Sequence, residues 1–214
     1  MAQDYAASVQ GVALRVSRLN ANGSIATGVS ASYVTDAFVR VSFTPEFEEG
    51  EELTQLNASG AVCVSVKSAD TLKRATLEVA ICAPEPELSQ LLAGGDVLVS
   101  GGEVVGYAAP EQGTDPTPNG VAVEVWSRAI VGGKNASVNP YWHFIFPASF
   151  LRMSDDRAIE SGILANTFTG YSVGNASFGD GPGAPAWPFI SDRSFAYART
   201  ATAPTGLKGF QVYP

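Results

Sequence analysis

The side chains that could carry out acid–base or nucleophilic chemistry are few in this sequence. Its single histidine, His143, lies in the segment YWHFIF, where strand alternation places it on the opposite face from Trp142 and Phe144. A histidine-based dyad would depend on His143 alone, and we identify no GxSxG elbow or similar nucleophile context to accompany it. We therefore interpret His143 as a sheet-surface residue or a hydrogen-bonded core residue.

Two other segments contain groups that could act on a substrate or an ion. Asp155, Asp156 and Glu160 could supply carboxylates for glycoside hydrolysis or metal binding, but acids that follow a capping residue such as Ser154 are typical of the first turn of a short helix. The glycine-rich segment 179–183 lacks the lysine and hydroxyl residue of a phosphate-binding loop, so we interpret it as a turn. The sequence predicts no cofactor, metal or catalytic residue, and its function should reside in shape and surface.

Negative charge is concentrated in one short segment. The 214 residues carry a net charge of −8, and no lysine or arginine occurs between Arg40 and Lys67. Like charges at this density resist burial, which predicts an exposed segment. Affinity for nucleic acid comes mainly from clustered lysine and arginine, so tight phosphate binding is not expected. The glutamates of the segment are Glu46, Glu48, Glu49, Glu51 and Glu52.

Apolar and polar residues alternate along much of the chain, as expected for half-buried strands. The turn signal NASG lets the acidic stretch form one strand of a hairpin, at about residues 44–60. One helix is predicted at about residues 86–93, where Pro86 suits the first turn and Gly94 the end. The predicted fold is mainly β or α+β.

The chain is predicted to consist of a β domain, residues 1–169, and an extension, residues 170–214. The extension is too rich in glycine and proline for a sheet and too aromatic for a free linker. Its aromatic side chains should therefore pack on the domain or on a neighbouring subunit. The candidates for an inter-subunit arm are Trp187, Phe189, Phe210 and Tyr213.

The cellular compartment is suggested by the lack of targeting signals. The chain has no apolar run long enough to cross a membrane, and its first residues lack the pattern of a secretion signal, which predicts a soluble protein made in the cytoplasm. Cys63 and Cys82 lie among apolar, strand-like residues and in no metal-ligand motif. We expect buried free thiols, although a disulfide is geometrically possible if the two strands are neighbours.

Several segments resemble, in the same order along the chain, the major tail proteins that form the tail tube of actinobacteriophages, which are mycobacteriophage-like siphophages with long non-contractile tails. Residues 57–95 combine a cysteine-containing strand, a DTLKR turn, a strand that ends in IC and a PEPEL helix. The acidic SFTPEFEEGEE before this segment and VEVWSRA, NPYWHFIFP and FTGYSVGNASFGDGP after it extend the resemblance over most of the chain.

The resemblance implies a structural virion protein without enzymatic activity, made in the cytoplasm of the bacterial host and located in the tail. Such proteins fold as a β-sandwich or barrel with a flanking helix, and they form hexameric rings that stack into a tube. DNA passes through the tube without specific binding, and the tape-measure and tail-terminator proteins are further partners. An extended loop or hairpin and a terminal arm would bridge subunits and rings.

The resemblance also suggests two roles for the glutamates. They would line the lumen and repel DNA, or lie on the rim of a ring and contact a basic patch on the next ring. The sequence leaves both roles open. The candidates for the complementary patch are Lys67, Lys73 and Arg74.

Three other functions remain open from sequence alone. A head-decoration or head-to-tail joining protein of the virion would share the β-rich composition and differ in its assembly state. A carbohydrate-binding β-sandwich would explain aromatic residues such as Trp142, Trp187 and Tyr171, although their spacing matches no familiar pattern. A hydrolase would use the carboxylates that follow Ser154.

Overall fold

The computed structural model describes residues 5–154, 166–179, 190, 192–204 and 208–213. Most of these residues lie in β-strands, and one short helix packs against them. This confirms the predicted mainly β or α+β fold with a single helix. Several predicted features lie outside the described residues: the short helix after Ser154 with Asp155, Asp156 and Glu160, most of segment 179–183, and Trp187 and Phe189.

Fourteen strands and one helix make up the described part of the chain. Their bounds are β1 (Ala7–Arg18), β2 (Ser32–Thr35), β3 (Phe38–Glu48), β4 (Glu52–Leu56), β5 (Val62–Lys67), β6 (Thr71–Ile81), α1 (Pro86–Ala93), β7 (Asp96–Ser100), β8 (Glu103–Ala108), β9 (Val121–Val131), β10 (Lys134–Asn135), β11 (Tyr141–Met153), β12 (Asn166–Val173), β13 (Ala196–Thr200) and β14 (Gly209–Gln211). Ten strands form one antiparallel sheet in the order β14-β2-β1-β9-β11-β12-β6-β3, with β10 beside β9 and β13 beside β11. The hairpins β4–β5 and β7–β8 are separate two-stranded sheets.

The central strands of the large sheet are buried on both faces. Leu14, Val123 and Phe146 point into the main core, and the opposite face carries a second, smaller apolar cluster. The sequence predicted half-buried strands here, but β9 is buried at every position from Val121 to Ser127 because both of its faces are covered. Burying a large apolar side chain contributes roughly 1.5–3 kcal/mol, so these two layers account for much of the stability of the fold.

The helix α1 covers residues 86–93, as predicted. Its apolar stripe, Leu88, Leu91 and Leu92, is buried in the main core. The spacing of these leucines places them on one face of the helix, which packs against the sheet.

The large sheet curls so that its two ends face the same core. Leu77 and Val79 of β6 share the main core with Leu14 of β1. The Phe38 ring of β3 lies directly over Gly11 of β1, where a Cβ atom would be 2.3 Å from Phe38 Cζ. Glycine is therefore required at residue 11 for β3 to approach β1, and the curled sheet encloses its core in the manner of a β-sandwich.

A long hairpin extends from the ends of β3 and β6. These two strands lead through residues 49–51 and 68–70 into β4 and β5, and we call residues 46–74 the arm. Its tip is a turn in which Asn57 Oδ1 accepts hydrogen bonds from the backbone nitrogens of Ser59 (3.0 Å) and Ala61 (2.9 Å). The hairpin predicted at about residues 44–60 is present, and its second strand continues to Lys67.

The prediction that both thiols are buried is wrong. Cys63 and Cys82 are free, and both are exposed. Cys63 lies in β5 of the arm, over which no described residue packs as a second layer, and Cys82 follows Ile81, the last buried residue of β6. Alternation with apolar neighbours indicated a strand correctly, but it did not indicate whether that strand is covered.

The residues after position 169 join the large sheet. β12 continues to Val173, β13 pairs with β11, and β14 pairs with β2. The boundary predicted between residues 169 and 170 therefore falls within a strand.

Candidate assembly interface

The arm carries a continuous apolar face that faces solvent. In the β4–β5 ladder, Leu53 lies opposite Val66 and Leu56 lies opposite Val62, with Val64 between them on β5. Val62, Val64 and Val66 share one face of β5 because side chains alternate along a strand, and Leu53 lies on that face opposite Val66. A bulge between Gln55 and Leu56 then sets Leu56 opposite Val62. Between 51% and 61% of each side chain is exposed, although residues of this type are usually buried. The opposite face carries polar groups such as Thr54 and Ser65.

The arm also has unpaired strand edges. β4 and β5 pair with each other and with no other strand in the described part of the chain. Each strand therefore presents backbone N–H and C=O groups along its outer side. An exposed apolar edge of this kind promotes pairing with another chain unless charge or geometry prevents it.

The root of the arm, which we define as residues 46–52 and 67–74, contains a bend that leads into the β4–β5 hairpin. The Gly50 nitrogen donates a hydrogen bond to Asp70 Oδ1 (3.0 Å), and the Ser68 nitrogen donates to the Glu51 carbonyl (3.0 Å). A Cβ atom at Gly50 would lie 1.9 Å from the Ser68 carbonyl oxygen, so only glycine permits this approach. These contacts fix the position of β4–β5 relative to β3–β6.

The five predicted glutamates lie together in the root of the arm. Glu48 ends β3, Glu49 and Glu51 lie in the connection to β4, and Glu52 begins β4 opposite Lys67. The structure therefore brings the negative charges together on an exposed part of the chain, as the sequence predicted.

The first of these glutamates, Glu46, differs from the others because it is paired. Its carboxylate accepts two hydrogen bonds from Arg74, Nε to Oε2 at 2.6 Å and Nη2 to Oε1 at 3.2 Å. The hydrogen bond from Arg74 holds the pKa of Glu46 below its usual value. The Arg74 guanidinium also lies over the Tyr171 ring, 4.7 Å from its centroid.

The predicted basic patch lies on the same arm as the glutamates. Arg74 binds Glu46, Lys67 lies opposite Glu52, and Lys73 is their neighbour on β6. These cations therefore offset part of the negative charge within one chain. Their role as a separate patch for another ring stays a prediction.

Two of the predicted aromatic arm residues, Phe210 and Tyr213, lie against their own domain. β14 pairs with β2, and the Phe210 ring packs edge-to-face on Tyr33 with 5.3 Å between centroids. The Tyr213 ring lies over the guanidinium of Arg15, 4.8 Å from its carbon. Part of their apolar area is thus covered within one chain, and their contact with a neighbouring subunit stays a prediction.

A buried polar cluster, which the sequence did not reveal, lies beneath Tyr213. Arg15 of β1 donates Nε to Glu124 Oε2 (2.7 Å) and Nη2 to Oε1 (3.0 Å), and His143 Nε2 donates to the same Oε1 (3.0 Å). None of the three is more than 5% exposed, so His143 is the hydrogen-bonded core residue that was one of the two predicted alternatives. Trp126 stacks on His143 with 4.1 Å between ring centroids.

The charges of this cluster compensate one another. Burial by itself would raise the pKa of Glu124, but the Arg15 charge and the hydrogen bonds from His143 and Arg15 outweigh it and hold the pKa below its usual value. Burial, followed by the Glu124 charge, raises the pKa of Tyr213, which keeps its hydroxyl protonated. We interpret the cluster as structural, because its charged atoms have almost no contact with solvent.

One nucleophile motif was missed in the sequence. Residues 170–174 match the pattern GxSxG, with Ser172 at its centre. Ser172 is fully buried within β12, opposite Ser149 of β11, rather than at an exposed turn between a strand and a helix. The interpretation that the sequence contains no GxSxG motif was therefore wrong, although the motif forms no nucleophile elbow at this position.

Two of the aromatic residues considered for carbohydrate binding are engaged in other contacts. Trp142 Nε1 donates to the Ala6 carbonyl (3.1 Å), and Tyr171 packs on Phe150 and beneath Arg74.

The described residues contain no group of three or more His, Cys, Asp or Glu side chains that could hold a metal ion. No helix among them is long and apolar enough to cross a membrane.

No protein-family model matches this chain, and no curated protein matches it either.

Proposed function

We propose that this chain is a structural virion protein that assembles with copies of itself into the tail tube of a phage with a long non-contractile tail. The observation that supports this proposal is the arm, whose apolar face is covered by no described part of the same chain. Such a face does not stabilise a lone domain, and it promotes association. In an assembly, a neighbouring subunit would cover it permanently.

The free edges of the sheet suit a closed ring. β3 is the last strand of the large sheet and pairs only with β6 among the described strands. An outer edge of this kind can pair with a strand of a second copy, and a ring that closes on itself leaves no free edge. We propose six copies per ring and stacking of rings on the basis of the sequence resemblance.

The charge of the chain is compatible with a conduit for DNA. The net charge is −8, and the root of the arm adds a concentrated group of glutamates to the surface. Acidic groups near a lumen repel phosphate over a Debye length of about 8 Å at physiological salt, so DNA would pass without binding. The tape-measure and tail-terminator proteins are the further partners that this role implies.

The test is electron microscopy of the purified protein, combined with light scattering over a range of concentrations. We expect rings or stacked tubes in negative stain and a mass that is a multiple of 22.3 kDa. Trimers or single rings without stacking would favour a head-decoration or head-to-tail joining protein instead. A single-chain mass at every concentration would refute self-assembly.

A further inference from the structure

One end of the large sheet has a charge opposite to that of the arm. The segments that meet there are residues 5–11, which lead into β1, residues 126–144 of β9 to β11, and residues 197–200 of β13. They contain no aspartate or glutamate, whereas they include Arg128, Lys134 and Arg199. We call this surface the basic end. It is unusual in a chain with a net charge of −8.

Two cations of the basic end are exposed and unpaired among the described residues, and the third is hydrogen-bonded to a neighbouring loop. Arg128 and Lys134 are exposed, and neither forms an ion pair with a described residue. Arg199 donates to the carbonyl oxygens of Val138 and Asn139, which fixes its side chain beside the loop before β11. The positive charge is therefore not neutralised within the described chain.

The basic end also exposes apolar side chains. Tyr5 is 87% exposed and Val138 is 70% exposed, and Tyr197 presents more than half of its surface to solvent. Tyr197 packs edge-to-face on Trp142, with 5.8 Å between ring centroids, and so has a defined orientation. A surface that combines aromatic groups, aliphatic groups and arginine is typical of protein interfaces.

The arm has the complementary composition. Its residues 46–74 contain six acids and three bases, a net charge of −3, and most of the acids lie in the root beside the apolar face. Arg74 forms an ion pair with Glu46, and Lys67 lies opposite Glu52 in the strand register, whereas Glu48, Glu49 and Glu51 have no ion-pair partner among the described residues. Opposite charge and matching apolar surface thus occur on two separate parts of one chain.

We propose that the basic end of one copy is the docking surface for the arm of a second copy. The apolar face of β4–β5 packs on Tyr5, Val138 and Tyr197, and the glutamates of the arm root oppose Arg128 and Lys134. This inference rests on the proposed self-assembly and specifies where the contact lies. Each copy uses its arm in one contact and its basic end in another, so the interface is head-to-tail and continues from copy to copy, closing into a ring or extending as a stack.

Charge reversal on each side tests the pairing. One variant carries Glu48→Lys, Glu49→Lys and Glu51→Lys, and the other carries Arg128→Glu and Lys134→Glu. All five positions are exposed, so circular dichroism should match that of the original chain. We expect each variant alone to need at least about a tenfold higher concentration to assemble, because like charges now face each other.

Mixing the two variants gives the decisive result. The lysine arm of the first then meets the glutamate end of the second, and the unmodified arm of the second meets the unmodified end of the first. We expect assembly to return in the mixture, with equal amounts of both chains in the product. Glu103→Lys with Glu111→Lys is the control, because it reverses exposed charges outside the arm and should leave assembly unchanged.

Disulfide cross-linking tests the same contact without altering charge. In a chain with Cys63→Ser and Cys82→Ser, the pair Val64→Cys and Val138→Cys should yield disulfide-linked multimers when oxidised glutathione is supplied as the oxidant. The matched control replaces Val64→Cys with Ser65→Cys, because Ser65 lies opposite Thr54 on the polar face of the hairpin, and it should cross-link poorly with Val138→Cys.

Three outcomes would count against these proposals in different ways. If the original chain assembles and both reversed variants assemble equally well, the docking surface is wrong and self-assembly stands. A mixture that assembles no better than either variant would also refute the docking surface. A chain that never assembles would refute the proposed function and this contact with it.

Discussion

Substitution of Glu124 by Gln should destabilise the folded chain strongly. The Glu124 carboxylate is fully buried and binds both Arg15 and His143. Glutamine keeps the shape of the side chain but removes its charge, which leaves the Arg15 guanidinium buried without a counter-charge. The change therefore isolates the electrostatic role of the cluster from its packing.

The expected loss of stability follows from the burial of the Arg15–Glu124 ion pair. Removing one partner of a buried ion pair costs roughly 3–5 kcal/mol, whereas an exposed pair contributes roughly 0–1 kcal/mol. Arg40 and Glu78 form such an exposed pair between β3 and β6, with 62% and 33% of their side chains accessible. In a domain of this size, 1 kcal/mol corresponds to about 2–4 °C in the unfolding midpoint, so Glu124→Gln should lower it by roughly 6–20 °C.

The assay is urea and thermal unfolding followed by circular dichroism, at a concentration where light scattering reports a single chain. Glu78→Gln is the matched control, because it makes the same substitution in an exposed Arg–Glu pair between strands. An effect of Glu124→Gln no larger than that of Glu78→Gln would show that the buried cluster does not contribute its charge to stability.

Three further predictions concern pH, the C-terminus and the thiols. The pKa of Glu124 is lower in the folded chain than in the unfolded chain, so its contribution to stability is fully present above about pH 4.3 and is lost as the pH falls below that value. The difference in free energy of unfolding between the original chain and Glu124→Gln should therefore become smaller when unfolding is measured in acid. Deletion of residues 208–214 removes Phe210 from the sheet and Tyr213 from its contact with Arg15, and it should lower the free energy of unfolding in urea by roughly 2–4 kcal/mol. Lys208→Ala removes only an exposed pair with Asp36 and should leave the midpoint nearly unchanged. Both cysteines are exposed, so a thiol reagent should modify two thiols per folded chain; slow reaction until urea is added would contradict the structure.

Local sequence patterns were sufficient for the elements whose determinants are local. Pro86, the leucine stripe and Gly94 defined α1 to the residue, because capping and helical periodicity act within a few positions. The turn at Asn57–Gly60 was equally clear, since the Asn57 side chain satisfies the backbone of its own turn. Neither element requires knowledge of distant parts of the chain.

The buried cluster could not be predicted in this way. Arg15 and Glu124 are 109 positions apart, and they meet only because β1 and β9 pair in a register that places them directly opposite each other. Each occurs as one charged residue within an apolar strand, in VALRV and VAVEVW. A lone charge in such a strand is a usable signal, but the identity of its partner depends on strand order.

The arm shows that alternating apolar residues predict a strand but do not predict whether that strand is buried. The valines of β5 alternate as regularly as those of β9, yet every residue of β5 is exposed and β9 is almost entirely buried. The sequence therefore encodes a strand with a core-type face in a place where the described part of this chain supplies nothing to cover it. Since exposure of that face gives a lone domain no stability, the covering layer is expected to come from another molecule. A second copy is the simplest source, because the basic end of the same chain carries the charge and the apolar groups that the arm lacks.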